Sequence, residues 1–506
     1  MADEKAGPDS LSNAYKLMAP RWDVINSLLG GTEAMRSAGT RYMPQHSEES
    51  DERYNERLAC NVLLNMTELT LDSLAGQPFR EAITPSEDVP KQIVDEIFPD
   101  VDLQGNNLDV FARQWFRDGL GKAYSHVLIE FPRVTPKEDG APRTLADDKA
   151  ENMRPYWVHI PPENLIFSYA EMINGVETLL HVRIMETVNG LSAEGWEEVC
   201  IPQIRVLTPG HVQLYQKQKV KGGKEQWVIV DEWDTGLTYI PLVTFYADRT
   251  EFMVGKPPLL DLAYLNIAHW QSSSDQRSVL TVARFPMLAA SGVDMDDPGS
   301  KIVVGPYKLL SSPAPEGKFY YVEHGGAAID AGQKDLEALE KRMAAYGGQF
   351  LVERSGNATA TARALDSAES SSDLQSIVMV FQDAIAQVIS ITADWMKISA
   401  DSTGTVDLFK DYSIAEMDAA GLTSLEQART RKDLSRKAYL NELSRRKILD
   451  EEFNEEEDAK LVEEEISTNM ERALAGMDLD PTQQDKPDQP PAPGQPKPAE
   501  KPPVKE

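Results

Sequence analysis

The sequence predicts an α+β fold: a β-rich lobe, long helices, a small α/β insert, a helical C-terminal region and a disordered tail. Three observations predict it. The spacing of apolar residues switches from a period near 3.6 to a period of 2 at about residue 124, and back again near Lys256. The chain has 506 residues, too many for a single compact core, so several domains or subdomains are expected. Its last stretch, "DPTQQDKPDQPPAPGQPKPAEKPPVKE", is Pro-rich and almost free of apolar residues, which predicts disorder.

The elements follow in order. Residues 1 to about 50 read as loosely organised, with one short helical stretch from Arg21 to Leu29 stopped by Gly30-Gly31. From Ser50 a single helix is expected. It places Tyr54, Leu58, Val62, Asn65/Met66, Leu69 and Leu74 near one stripe and ends at Gly76 and Pro78. "NLDVFARQWFRDGLGKAY" predicts a second helix with Leu108, Phe111, Trp115 and Leu120 on one face. Residues 124–248 alternate or run apolar between Pro and Gly, as antiparallel strands do. "KVKGGKEQWVIVDEW" reads as a hairpin through Gly222-Gly223.

At Lys256 the helical period returns. "KPPLLDLAYLNIAHWQSSSDQRSVLTVARF" opens with prolines that a first turn tolerates, and its apolar ends flank a polar middle, Gln271 to Ser274. A compact β module follows ("FPMLAASG", "KIVVGPYKLLSS", "KFYYVEHGG"), then a helix with Leu336, Leu339, Met343 and Tyr346 on one face. The glycines and small residues of "YGGQFLVERSGNATATARAL" predict a flexible joint, although "QFLV" could also form a buried strand. Next comes the longest helix, expected from Asp366 to Ser399 with "DSAE" as its capping box and a length of roughly 50 Å. "TVDLFKDYS" predicts one further strand, and two charged helices are expected at about 423–475. The acidic runs "DEEFNEEEDAK" and "LVEEEIS" read as solvated helix faces pairing with "RTRKDLSRK" and "SRRK".

Charge and motif content narrow the function. The net charge is −31, which weighs against a tight nucleic-acid binder, because such proteins neutralise phosphates with a basic patch. No run of eighteen consecutive apolar residues occurs, so no transmembrane helix is expected, and "MADEKAGPDS" has no signal-peptide character. Cys60 and Cys200 are too far apart in sequence to suggest a metal or redox motif. Both are expected as reduced thiols in apolar surroundings. The seven histidines form no H-x-x-x-H, there is no G-x-S-x-G, and "VKGGKEQW" lacks P-loop spacing. "DMDDPG", Asp294 to Gly299, opens like a calcium loop but has Pro298 at its fifth position and Gly305 at its twelfth, where a Glu is needed. No catalytic residue, metal site or cofactor is therefore expected.

The order of these elements resembles the portal, or head-to-tail connector, proteins of tailed bacteriophages. The strings "GGTEAMRSAGTRYMP", "YNERLACNVLLN", "LAGQPFRE", "RPYWVHIPPENLI" and "ATARALDSAESSSDLQSIV" carry the resemblance, which spans about residues 20–475. It implies an N-terminal extension at 1–60 and a wing at 61–256. Stem helices would occupy 257–283 and 330–346, with a clip at 284–329 between them. A tunnel loop would lie at 347–365, then a long helix and returning wing strand at 366–417, a helical crown at 418–476 and the tail at 477–506. The family's layout implies a homo-oligomeric ring, twelve-fold in the virion, at the capsid vertex. Double-stranded DNA would pass through it. Its expected partners are the terminase packaging motor, the head-completion or tail adaptor proteins and the major capsid protein, with assembly in the host cytoplasm and no membrane contact.

Laid on this chain, that layout makes Gln349, Arg354, Ser355, Asn357, Thr359, Thr361 and Arg363 channel candidates in the tunnel loop. Arg277, Arg284, Lys301, Lys308 and Lys318 are the basic stem and clip candidates; for each of them, and for Arg354 and Arg363, an ordinary solvated or paired surface charge is the commoner role. Twelve copies at −31 each would carry about −370 charges, a wall that repels phosphates. The alternatives are an acidic adaptor or scaffold that conducts no DNA, and a metal-dependent nuclease, which would need a convergent carboxylate cluster.

Overall fold

The computed structural model describes residues 7–133, 151–192, 194–219, 225–284, 287–291, 318–322, 326–346, 360–398, 403–410, 419–445, 448–449, 453–454, 457–464 and 466–467. Two compact units emerge, Met1–Ser413 and Ile414–Glu506. Helices and antiparallel sheets make up the first, so the α+β expectation holds at that level.

The N-terminal region is far from loose. Helix α1 (Asn13–Leu29) begins at Asn13 rather than Arg21, capped by Ser12, whose Oγ accepts the Tyr15 N–H at 3.1 Å, and it carries Pro20 inside it. Proline opposes an interior helix position locally, but α1 buries Met18, Trp22, Ile25 and Leu28, and that packing prevails. After α2 (Gly31–Ala38), Met35, Tyr42 and Met43 join Val24, Ile25 and Leu28 in one apolar cluster with Trp270.

The single helix expected from Ser50 is two: α3 (Asp51–Cys60) and α4 (Met66–Gly76). The break falls at Asn61, which is extended and fully buried, its Nδ2 donating to the Trp270 carbonyl at 2.8 Å. Asn65 then caps α4, accepting the Glu68 N–H at 3.2 Å and donating to the Leu28 carbonyl at 2.7 Å. These tertiary hydrogen bonds outcompete helix continuation. As a result Val62 and Leu69, expected on the buried stripe, are 51% and 52% exposed.

Beyond β1 (Thr84–Pro85) and α5 (Lys91–Glu96), helix α6 (Leu108–Lys122) buries Leu108, Phe111, Trp115 and Leu120 as predicted. Strands β2 (Tyr124–Glu130), β3 (Tyr156–Ile160), β4 (Leu165–Ile173), β5 (Val176–Leu191), β6 (Glu198–Thr208), β7 (His211–Lys219), β8 (Glu225–Asp234) and β9 (Leu242–Tyr246) follow. They form a three-stranded sheet in the order β3-β2-β9 and a five-stranded meander β4 to β8, every pairing antiparallel. β7 and β8 pair on either side of residues 220–224, the predicted Gly222-Gly223 hairpin position.

The remainder of the first unit comprises α7 (Leu260–Ala283), β10 (Met287–Ser291), β11 (Lys318–Val322), α8 (Gly326–Tyr346), α9 (Ala360–Met396) and β12 (Val406–Asp407). Helix α9 is the spine of the largest core. Phe381 contacts Phe79, Trp115, Phe116 and Phe245, and Trp157 Nε1 donates to Thr392 Oγ1 at 2.9 Å. α9 starts before Asp366, so "DSAE" lies inside the helix and is not its cap. Its segment Leu374–Met396 is long and apolar enough to cross a membrane by composition. One face of it, Leu374, Val378, Phe381, Ile385, Val388 and Ile389, is instead buried in the protein core. The returning strand β12 is only two residues long and pairs with β1.

Both cysteines are free and exposed, against the expectation of apolar surroundings. Cys60 ends α3 where the chain turns extended. Cys200 lies opposite Asn189 on the far half of β5–β6, where both strands carry mostly exposed residues.

In the second unit, α10 (Ala419–Thr430), α11 (Arg436–Arg445) and a helical stretch at 457–464 occupy the region where charged helices were predicted. Arg436 Nη2 donates to Asp458 Oδ2 at 2.8 Å, one instance of the expected pairing between basic and acidic runs.

Candidate functional site

Helices α7 and α8 form an antiparallel pair joined through the ribbon β10–β11, in which Met287 faces Val322 and Ser291 faces Lys318. The pair is unevenly supported along its length. The first half of α7 is rooted in the body: Leu260, Leu262, Ala263, Ile267 and Trp270 are all buried, shared between two core clusters. From Arg277 to Arg284 every described side chain is exposed or half-buried, and so is the facing start of α8 up to Ala338.

The polar middle of α7 now has an explanation. Gln271 Nε2 donates to the Tyr42 carbonyl at 2.9 Å, and Ser274 Oγ accepts from Arg57 Nη1 at 3.2 Å. On the other side, Ser272 Oγ donates to Asp335 Oδ2 at 2.8 Å, and His269 Nε2 lies 3.4 Å from Glu340 Oε1. Gln276 Nε2 reaches the Ile329 carbonyl at 2.9 Å, an approach made possible by Gly332, where a Cβ would lie 2.0 Å from Gln276 Oε1. The hairpin is thus held by a ladder of polar contacts, with Leu339 and Met343 as its apolar contribution from α8.

At its base, Asp261 Oδ2 accepts from Lys256 Nζ at 2.7 Å and from Tyr346 Oη at 3.0 Å. Those hydrogen bonds hold the Asp261 carboxyl below its ordinary range. Burial first, and then Asp261, push the Tyr346 hydroxyl up. This knot fastens the last residue of α8, directly before the segment 347–359.

Of the basic candidates, Arg277, Arg284 and Lys318 are described, and all three are exposed. Arg277 and Arg284 stand two helical turns apart on one face, about 10 Å along the axis. Arg277 Nη1 also donates to the Cys60 carbonyl at 3.0 Å, so it braces α3 as well. Lys301, Lys308, Gln349, Arg354, Ser355, Asn357 and Thr359 lie outside the described residues, as do "QFLV" and the acidic turn at 294–299. Thr361 and Arg363, expected in the loop, fall on the helical backbone of α9.

Sequence reasoning missed a buried charge cluster between α6 and the sheets. Lys122 Nζ contacts Asp118 Oδ1 at 2.7 Å and Glu163 Oε1 at 2.6 Å, and His159 Nε2 stands 3.4 Å from Asp118 Oδ2. Burial alone would raise Asp118, but the His159 hydrogen bond and the Lys122 charge overcome it and hold the carboxyl low. Burial would likewise lower Lys122, yet the charges of Asp118 and Glu163 raise it. Nearby His126 is driven down to about 3 by burial and by His159. The i, i+4 spacing of Asp118 and Lys122 was the one available signal. It did not stand out in a chain so rich in charge.

The cavities among the described residues include two that this cluster does not line. One of about 170 Å³ lies among Phe131, Tyr156, Arg205, Trp233 and Trp395. There burial brings Arg205 down to about 10 and raises Glu186, 2.9 Å away. The other, about 610 Å³, runs beside α9 past Tyr246, Arg249, Asp383 and Gln387. No group of three or more His, Cys, Asp or Glu side chains among the described residues is placed to hold a metal ion.

Residues 258–396, from the start of α7 to the end of α9, match the family described as a domain of unknown function, DUF4055. No curated protein matches the chain. Among solved structures, it is similar to the neck of a native GTA particle computed with C12 symmetry: 9% identity, TM-score 0.38, covering 73% of this chain and 86% of that one. The neck of an empty GTA particle computed with C6 symmetry gives 11% identity and TM-score 0.38, over 73% and 87%. The virion of a native gene transfer agent (GTA) particle gives 10% identity and TM-score 0.35, over the same shares.

Proposed function

We propose that this chain is the subunit of a ring-shaped portal in a tailed-phage-type particle, a passive conduit for double-stranded DNA at the head-to-tail junction. The observation that carries the reading is the α7–α8 hairpin. It is rooted in the core at Trp270, is held along its length by polar contacts, and carries the β10–β11 ribbon at an end with little buried surface. A hairpin built this way gains partners when copies stand side by side, and a ring is the closed form of that arrangement. The portal-like strings of the sequence support the same reading.

On this reading the acidic charge serves sliding: a wall of net negative charge repels phosphates and keeps the duplex from binding. Arg277, Arg284 and Lys318 offer local positive charge that moderates the barrier. The chain performs no chemistry of its own. ATP hydrolysis belongs to a packaging motor docked on the ribbon end, which later serves the tail adaptors. The ring resides at a capsid vertex after assembly in the host cytoplasm.

Electron microscopy of the purified protein tests this. Rings with a channel of ~20–35 Å, wide enough for B-DNA, are the expected result. Monomers or solid particles at high concentration would sink the proposal. Deleting 350–361 should leave rings intact and impair DNA packaging or retention in an assembly assay.

A further inference from the structure

We infer that the C-terminal unit, Ile414–Glu506, docks against the same unit of a second copy of this chain, its basic block facing the neighbour's acidic block. The inference rests on the ring reading and names one contact within it.

The first argument is a missing core. Among the described residues of this unit, Leu443 is the one buried apolar side chain, while Ile448, Leu461 and Ile466 are 45%, 60% and 60% exposed. α10 has 12 residues and α11 has 10. Helices this short are marginal in water unless an apolar face is packed. The unit therefore needs a surface to cover those positions.

The second argument is charge, and it identifies the occupant. Residues 429–447 carry eight Lys or Arg against two Asp or Glu, a net +6; residues 450–465 carry ten Asp or Glu against one Lys, a net −9. One pair across the two blocks, Arg436 with Asp458, is already made within the chain. Lys432 and Lys437 on one block, and Glu457 and Glu463 on the other, remain exposed. A surface complementary to each block exists on every other copy. A head-to-tail contact satisfies both blocks of every subunit at once, and such a contact closes into a ring when its rotation permits.

The test uses the full chain, with assembly followed by light scattering and the late helices by amide hydrogen exchange. In assembled wild-type protein, amides of 436–445 and 457–464 should exchange roughly tenfold more slowly than in dissociated protein. That protection should fade as salt rises from about 50 to about 500 mM. K432E/K437E cuts the basic block from +6 to +2 and E457K/E463K cuts the acidic block from −9 to −5; each alone should lose the protection, and mixing the two should restore it. Equal exchange in dissociated and assembled protein would mean that the unit is covered within its own chain, which overturns the inference. Protection that survives both charge reversals overturns it too. Rings that form with unprotected late helices overturn this inference alone, whereas wild-type protein that never associates overturns the ring reading with it.

Discussion

His126 shows how a single residue couples this fold to pH. It is fully buried in β2, its Nδ1 is 2.9 Å from Thr244 Oγ1, and its Nε2 has no hydrogen-bond partner. Protonation would place an unpaired charge in the core, which is why its pKa falls from 6.5 to about 3. Between those values the unfolded chain binds a proton that the native protein refuses, so stability falls as pH drops through that window. The slope is on the order of 1.4 kcal/mol per pH unit. Asp118 acts in the same direction at lower pH: its depressed pKa contributes stability that is lost on acidification below its unfolded value of 3.8. Urea unfolding from pH 7 to pH 4 should show the His126 slope, and His126→Gln should flatten it even if the variant is less stable throughout; an unchanged slope would refute the assignment. None of this was legible in the sequence, because a histidine in a strand looks the same whether its neighbours are water or, as here, Tyr124 and Thr244. The cysteines erred the other way, read as buried and found exposed, because average preference does not fix an individual position.

At the scale of elements, α9 and the α7–α8 hairpin make different demands. Phe381 is fully buried among four aromatic rings, whereas Met379, two residues away, is 48% exposed. Phe381→Ala should therefore cost about 3–5 kcal/mol in denaturant unfolding and Met379→Ala less than about 0.5 kcal/mol. Comparable losses at both sites would contradict the packing described. In the hairpin, Gly332→Ala would drive a Cβ to 2.8 Å from Gln276 Cδ, and Gln276 is buried and hydrogen-bonded to the Ile329 carbonyl. A cost of about 1–3 kcal/mol is expected, with faster amide exchange confined to the free end of α7 and the start of α8. Unchanged exchange there would show that the close approach is not needed. Apolar periodicity predicted helices at the positions of α6, α7, α8 and α9, each of which buries an apolar face, although α7 serves two clusters and Tyr346 on the expected face of α8 is exposed. It failed at Asn61, where a stripe continues in sequence but a buried side-chain hydrogen bond to Trp270 ends the helix.

For the whole molecule, the Pro-rich composition beyond Asp480 predicts that truncation there leaves the melting temperature unchanged; a clear drop by calorimetry would show that the tail docks. By itself the sequence determined the α+β class, the switch from helices to antiparallel strands and back, the order helix–ribbon–helix–long helix, and the acidic field. All of these follow from local pattern and composition, which each residue carries with it. Only the tertiary structure decided that Trp22, Ile25, Leu28, Met35 and Tyr54 of the N-terminal region are core, that α3 and α4 are separate, and that α7 is anchored at one end and exposed at the other. It also decided that Asp118, Lys122, His159 and Glu163 meet. Those outcomes depend on contacts between residues far apart in sequence, 209 positions for Asn61 with Trp270 and 229 for Tyr42 with Gln271. Burial and hydrogen bonding across such separations override local preference without leaving a local trace.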